Sequence, residues 1–458
     1  MMIEARAGTG KSATLRMMNR KFSDPTLYLV FDRLSSDKAK AEQKEGKWPF
    51  STDIMTFNGC GHRTWMRGRN INLDKEKMKE LLKQVLGTLN RDDFREASSA
   101  FFDITAAVDR AKNEGYVPDG KFYPVKSLIS REAFHAKLEE RPSPFIASIV
   151  DELLVKSIQA AFKGNIDFND QIYMPTMFGS TFKRYPRILV DEFQDLNAVN
   201  IHMLMKMYRD GDWLTAVGDP AQSIYAFRGA VPGAMAKGAA HFRTKPFTLT
   251  ESFRCPAAIV EAAKWRVPDY RTNKPGGRYA TLSKLALNDI PSECTFICRN
   301  NAPLFAIAFR LLRNGRGVKV VGSDIGPRLI GVMKKFGDDP LSQEKVFVAI
   351  EAWLEKKMKV AQNPTLLADQ AECMRVFATY GRTLGEAIAY IQQMFKEHGT
   401  IQLTTGHKAK GKEWNHVYFL DPWLISQDEQ DLNLKYVIQT RALDTCLEID
   451  SARIEIGE

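Results

Sequence analysis

Two stretches of this 458-residue chain have the residue types and spacing for phosphate chemistry. Ala5–Ser12 reads ARAGTGKS, a phosphate-binding loop with Ala5 at the position usually held by a first glycine. Such a loop curls the backbone N–H groups of Ala7, Gly8, Thr9 and Gly10 around phosphates and feeds a helix whose N-terminus favours negative charge. Lys11 is expected to reach the β- and γ-phosphates, and the Ser12 hydroxyl to ligand Mg²⁺. A Gly-rich turn ahead of a helix is the plainer reading, but Gly-Lys-Ser at a strand–helix junction is specific. Far along the chain, the apolar run Ile188–Val190 ends in Asp191-Glu192-Phe193-Gln194-Asp195. Two acids at the tip of a buried strand are costly unless they face a metal or solvent in a crevice. Asp191 suits the Mg²⁺ shell, and Glu192 suits the base that orients an attacking water. A surface acidic turn is the alternative, but the loop needs a carboxylate partner and the chain offers no better one.

Elements of two kinds must position these groups. Met1–Ala5 reads as a strand running into the loop, with a helix over Lys11–Arg20 and a strand over Thr26–Phe31. Ile54–Phe57 reads as a further strand, and amphipathic helices such as Lys75–Leu89 and Phe145–Phe162 follow. Strand patterns return at Arg187–Val190, Trp213–Val217 and Phe247–Thr250. A second series comprises Cys294–Cys298, Val318–Val321, Ile401–Thr404, Val417–Leu420 and Cys446–Ile449, separated by helical patterns. The last helix before Ile401 has readable ends, with Thr383 and Glu386 as a capping box and Gly399 after the final turn. Asn273–Gly277 and Gly337–Pro340 carry turn chemistry.

The fold class is therefore α/β, two parallel-sheet domains each with a mainly helical insertion. The expected boundaries are 1–61 with 167–255 for the first domain and 62–166 for its insertion. The second domain is 256–324 with 399–458, and its insertion is 325–398. Lys plus Arg number 65 against 55 Asp plus Glu, a net charge of +10, which tilts the chain toward a polyanionic partner. No apolar run is long enough to span a bilayer and no secretory leader is present, which argues against a membrane partner. The six cysteines form no CxxC pair, so free thiols in a reducing cytoplasm are expected rather than a zinc site.

Further motifs follow in order: AVGDPAQSIYAFRGA over 216–230, LTESFRCP over 249–256, TGHKAKGKEW over 405–414 and YVIQTRA over 436–442. With the loop and DEFQD, this set resembles the UvrD/Rep/PcrA branch of superfamily 1 DNA helicases over nearly the whole chain. The resemblance implies two RecA-like domains with ATP and Mg²⁺ in the cleft between them. It implies that Gln222 senses the γ-phosphate, that Arg254 contacts it, and that Arg441 is the arginine finger. The stretch holding Gly411 and Glu413 would bind the nucleotide, Glu413 through its ribose. Without the resemblance, Arg254 reads as a structural ion pair and Arg441 as a helix-surface residue. Tyr225, Phe227 and Arg228 suit stacking on unpaired bases, worth about 1–3 kcal/mol per base. Core packing is the alternative for Phe227. Phe31, Thr56, Phe57 and His407 match further DNA-contacting positions of the family. His62–Arg69 reads either as a grip on phosphates or as a solvated basic helix start, and Lys356–Lys359 as a solvated helix face.

The implied activity is ATP-driven helicase or translocase movement, 3′ to 5′ by family branch, on single-stranded DNA and at single–double-strand junctions, in replication, repair or recombination, with room for a loading partner. A non-unwinding translocase or a catalytically silent DNA-binding subunit is the alternative; a small-molecule kinase leaves 222–230 and 405–411 unexplained. Three departures from the family stand out. The upstream segment whose Gln reads adenine is not among these residues, so base choice is relaxed, supplied elsewhere or supplied further upstream. The second insertion is short, and the chain ends soon after its last core strand, which suits a compact phage or mobile-element enzyme without an appended nuclease. Asn58, Ser252 and Lys412 replace the usual His, Asn and Leu.

Overall fold

The computed structural model describes residues 1–138, 142–321, 325–358, 364–396 and 398–455. The chain divides into two compact units, one of Met1–Ala5 and Gly10–Leu249, the other of Arg6–Thr9 and Thr250–Glu458. Asp324, at an expected domain edge, and Lys359, in the lysine run, lie outside the described residues.

In the first unit, β1 (Met2–Ala5), β2 (Thr26–Val30), β3 (Thr52–Thr56), β4 (Arg187–Val190), β5 (Trp213–Gly218) and β6 (Pro246–Leu249) form one sheet in the order β3-β2-β4-β5-β1-β6. Every pairing is parallel. Successive side chains of a strand point to opposite faces, and here both faces are covered. Leu27 and Leu29 of β2 enter one core, while Tyr28 and Val30 enter another. That is why β2 reads as an unbroken apolar run rather than an alternating one.

The core under Leu27 and Leu29 continues without a break into the helical insertion, through Leu82, Ile104, Val108, Leu153 and Ile158. The helix Phe57–Trp65 runs straight across residue 62, where the sequence places the insertion's start. Gly61 allows this close packing, since a Cβ there would overlap the Gln171 carbonyl. Where the insertion rejoins the rest of the unit lies a buried quartet of charges. Lys77 pairs with Asp170 and donates to the Ser157 carbonyl at 2.9 Å. Lys112 pairs with Asp167, with Asp170 at 2.7 Å, and donates to the Ser157 hydroxyl at 2.9 Å. Two ammonium groups and two carboxylates thus neutralise one another away from water, which is the condition for burying any of them.

In the second unit, β7 (Arg278–Thr281), β8 (Thr295–Cys298), β9 (Val318–Val320), β10 (Ile401–Thr405), β11 (Trp414–Leu420) and β12 (Ala442–Ile449) form a second all-parallel sheet, in the order β7-β12-β11-β8-β10-β9. The helices Gln343–Met358, Pro364–Tyr380 and Leu384–Met394 share its core, where Ile350, Phe377 and Ile391 join Phe296, Leu403 and Leu420. The mixed α/β class with two parallel sheets is as the sequence predicts.

Two local expectations change. Thr383 does accept the Glu386 N–H, at 3.3 Å, but the Glu386 carboxylate reaches past it to the Arg382 N–H at 2.8 Å, so the reciprocal box is not closed. Gly399 is not the left-handed end of the helix, which stops at Met394. It is small because its Cα lies against the Gly317 backbone, where a Cβ would overlap.

Candidate functional site

In the first unit the loop delivers Gly10 in the left-handed conformation, φ 80°, as the N-cap of the helix Lys11–Asn19, with no side chain capping that end. No side chain caps the first N–H groups of this helix, an arrangement suited to binding an anion. Beside it, the Ser12 hydroxyl donates to Asp191 Oδ2 at 2.6 Å, and the Tyr28 hydroxyl donates to the same oxygen at 2.8 Å. Burial first, and then the neighbouring Glu192 carboxylate, push Asp191 above the usual carboxylate range. Burial and Asp191 push Tyr28 well above the usual phenol. Converging hard oxygens whose negative charge is under-compensated fit a divalent cation such as Mg²⁺. Asp191 and Ser12 would hold it.

Glu192 sits just beyond the strand at φ 53°, a left-handed conformation that non-glycine residues rarely adopt. Its carboxylate approaches Lys11 Nζ at 3.8 Å and accepts from Gln194 Nε2 at 2.6 Å. Gln194 Oε1 in turn accepts from the Asp219 N–H at 3.0 Å, and Asp219 Oδ2 accepts from Gln222 Nε2 at 2.7 Å. Asp219 and Gln222 are both buried. One hydrogen-bonded chain therefore runs Glu192–Gln194–Asp219–Gln222. Gln194 and Asp219 were visible in the sequence only as letters inside motifs. Neither period nor residue type signals that they connect Glu192 to Gln222, and the same holds for Tyr28, hidden in an apolar strand.

Three residues after Gln222 comes Tyr225, stacked on Phe31 with ring centroids 5.6 Å apart and planes 13° apart. Phe227 meets Tyr225 edge-on at 5.9 Å, and the Arg228 guanidinium lies 5.2 Å from the Tyr225 ring and 5.6 Å from the Phe227 ring. Phe227 is 57% exposed, so its ring is not core. Arg110 from the insertion holds this segment by donating to the Ala226 carbonyl at 2.7 Å. Phe57 is different. Its ring is 3% exposed and packs in the main core, so the structure does not place it where a base could stack. Thr56 accepts the Gly59 N–H at 3.0 Å and caps the helix Phe57–Trp65. In His62–Arg69, Arg69 lies 3.9 Å over the buried Trp65 and Arg67 donates to the Thr181 carbonyl, so those two arginines brace the local fold.

In the second unit, the Ala7 N–H donates to the Tyr436 hydroxyl at 3.1 Å and the Tyr270 hydroxyl donates to the Ala7 carbonyl at 2.7 Å. Gly8, at φ 70°, lies so close to Ser252 and Arg254 that a Cβ would overlap both. Ser252 Oγ accepts the N–H groups of Arg254 at 3.3 Å and Cys255 at 3.1 Å, so serine still holds this turn where the family has asparagine. Arg254 Nε donates to Glu413 Oε2 at 2.6 Å, which joins two residues expected to hold different parts of a nucleotide. Phe253, next in line, is 77% exposed, a ring able to stack on a planar base that the sequence reading passed over. Arg441 is buried, its guanidinium donating to the carbonyls of Val437 at 2.9 Å and Lys412 at 3.3 Å. Burial, and after it the like charge of Arg254, lower it to about 10, so it is still a cation at neutral pH. Gly411 turns at φ 81°, and His407 lies half-buried on the short helix Gly406–Ala409.

Fold and site define the class: an α/β protein of two parallel-sheet units whose first unit carries the N-terminus of the Lys11–Asn19 helix, a carboxylate pair and a stacked aromatic surface. Residues 60–243 match the UvrD/REP helicase N-terminal domain. The chain is 33% identical over 126 residues to a putative ATP-dependent DNA helicase, YjcD, of Bacillus subtilis, covering 27% of this chain and 16% of that one. It is 24% identical over 282 residues to a probable DNA helicase II homologue of Mycoplasma pneumoniae, covering 56% and 38%. It is 26% identical over 238 residues to the ATP-dependent DNA helicase Rep of Escherichia coli, covering 46% and 35%. Over part of its length the chain is thus similar to UvrD/Rep helicases. It spans between 16% and 38% of the length of these relatives.

Proposed function

We propose that this chain is an ATP-dependent motor on single-stranded DNA, a helicase that moves 3′ to 5′. The observation that carries this reading is the continuity of the Glu192–Gln194–Asp219–Gln222 chain with the Tyr225–Phe31 stack three residues further on. A group that senses the nucleotide and a surface that grips a base then share one short segment, which suits the coupling of hydrolysis to strand movement. Lys11 and the helix N-terminus bind the triphosphate. Glu192, oriented by Gln194, positions the attacking water. Bound Mg²⁺ would neutralise charge on the β- and γ-oxygens. Arg254 and Arg441 are assigned the charge that spreads over the transferring phosphoryl group, a role worth about 10³–10⁵ in rate where an arginine performs it. In that role Arg441 exchanges its carbonyl acceptors for phosphate oxygens.

The test is the ATPase rate with and without single-stranded DNA, with Lys11→Ala as control. Strong stimulation that vanishes in the variant while DNA binding persists is the expected result. Turnover indifferent to DNA would overturn the motor reading. Tailed duplexes address direction, since preference for a 5′ tail would reject 3′ to 5′ movement. Stimulated turnover without strand separation would make the chain a translocase.

A further inference from the structure

The Asp191 carboxylate accepts from three donors, and one of them comes from the middle of an apolar strand. Ser12 and Tyr28 donate to Oδ2 at 2.6 and 2.8 Å, and the Glu192 N–H donates to Oδ1 at 3.0 Å. An ionised carboxylate only accepts, so the Tyr28 phenol is the donor. It reaches Asp191 because β2 runs parallel to β4 with Tyr28 opposite Leu189, and the Asp191 N–H continues that ladder to the Leu29 carbonyl at 2.9 Å. Asp191 lies two residues beyond Leu189, about 7 Å by strand rise, a distance the length of a phenol covers. The ring is held from its other side. Trp48 stacks on it with centroids 4.4 Å apart and planes 21° apart, and both residues are buried. The Trp48 indole N–H donates to Glu42 Oε2 at 3.1 Å, and Arg16 donates to the same oxygen at 2.8 Å. Arg16 lies one turn after Ser12 on the helix Lys11–Asn19. A closed circuit therefore runs Ser12–Asp191–Tyr28–Trp48–Glu42–Arg16 within the first unit and returns to the helix it left. A carboxylate free to rotate beside the like charge of Glu192 would present its oxygens to a cation only part of the time, and this circuit fixes it.

We propose that Tyr28 is a positioning residue for the divalent cation assigned to Asp191 and Ser12, its hydroxyl fixing the rotation of the Asp191 carboxylate. This deepens the nucleotide-site reading and rests on it. Tyr28 acts only through Asp191, so its loss weakens the metal and leaves the phosphate loop competent. A group that hydrogen-bonds to a ligating carboxylate is typically worth about 10–100-fold in metal affinity.

The experiment compares wild type with Tyr28→Phe, which keeps the ring on Trp48 and deletes only the hydroxyl. Mn²⁺ stands in for Mg²⁺, and its binding with ADP present is read from the free-ion signal in electron paramagnetic resonance. A fluorescent ADP titrated in EDTA reports the loop without metal. The variant is expected to bind Mn²⁺ about 10-fold more weakly while metal-free ADP binding stays within about twofold of wild type. The Mg²⁺ concentration that half-saturates DNA-stimulated ATPase should rise by a similar factor, with kcat recovered at saturating Mg²⁺. Unchanged Mn²⁺ affinity in the variant would overturn the proposal. A matching loss of metal-free ADP binding would overturn it too, by making Tyr28 a general support of the fold. Failure of wild type itself to bind ADP or Mn²⁺ would instead reject the nucleotide site on which the proposal rests.

Discussion

Glu192 and Gln194 are two positions apart, and the geometry between them sets what each can do. A carboxylate that orients water must be held in one direction, and Gln194 Nε2 does this at 2.6 Å while its carbonyl oxygen is itself fixed by the Asp219 N–H. Gln194→Ala keeps every charge of the site and removes this orientation together with the acceptor for the Asp219 N–H. The expected outcome is a fall in kcat of about 10²-fold, within the range for losing a positioned acid–base group, with KM for ATP nearly unchanged. Steady-state ATPase kinetics with DNA present check it. A parallel loss of ATP affinity would place Gln194 in binding rather than in positioning. The left-handed Glu192 belongs to the same argument: the surrounding chain holds a costly backbone conformation at the residue that must aim.

The element that distinguishes the first unit is its helical insertion, and the buried quartet fastens it. Removing one partner from a buried ion cluster leaves an uncompensated charge, typically at a cost of about 3–5 kcal/mol. Lys112→Met is therefore expected to destabilise the first unit by an amount of that order, read from denaturant unfolding. The pH dependence has a definite sign. Burial pushes Asp167 up, but Lys112 and Lys77 outweigh it and hold Asp167 at about 2. A depressed carboxylate contributes stability above its unfolded value, near ~4, and loses it as pH falls toward 2. Wild type should lose stability through that window more steeply than Lys112→Met. Equal acid sensitivity in the two proteins would remove the quartet from the account of stability.

At the scale of the whole molecule, the property to test is coupling. Tyr225, Phe227 and Arg228 present a cation and two rings on the segment that begins at Gln222. Tyr225→Ala with Phe227→Ala is expected to cut DNA stimulation of ATPase at least tenfold while basal turnover stays within about twofold, since each stacked base contributes about 1–3 kcal/mol. Equal losses in both rates would make the rings structural. No described helix is long and apolar enough to cross a membrane, and the six cysteines are buried free thiols.

What the residues alone determined follows from local physics. Gly10, Lys11 and Ser12 need only a few neighbouring positions to form an anion cradle, and apolar runs such as Arg187–Val190 declare buried parallel strands. The phosphate loop, the acidic strand tip, the two parallel sheets and the aromatic segment after Gln222 were all legible for that reason. Tertiary structure decided what depends on contacts distant in sequence. Tyr28 meets Asp191 because the sheet order brings β2 beside β4, and Phe31 meets Tyr225 because β2 and β5 flank β4, so the segments that follow them lie close. Phe57 and Phe227 are the same residue type beside motifs, yet one is core and the other exposed, a distinction set by packing. Short-range patterning fixes which groups are available, and burial with long-range pairing fixes which of them meet.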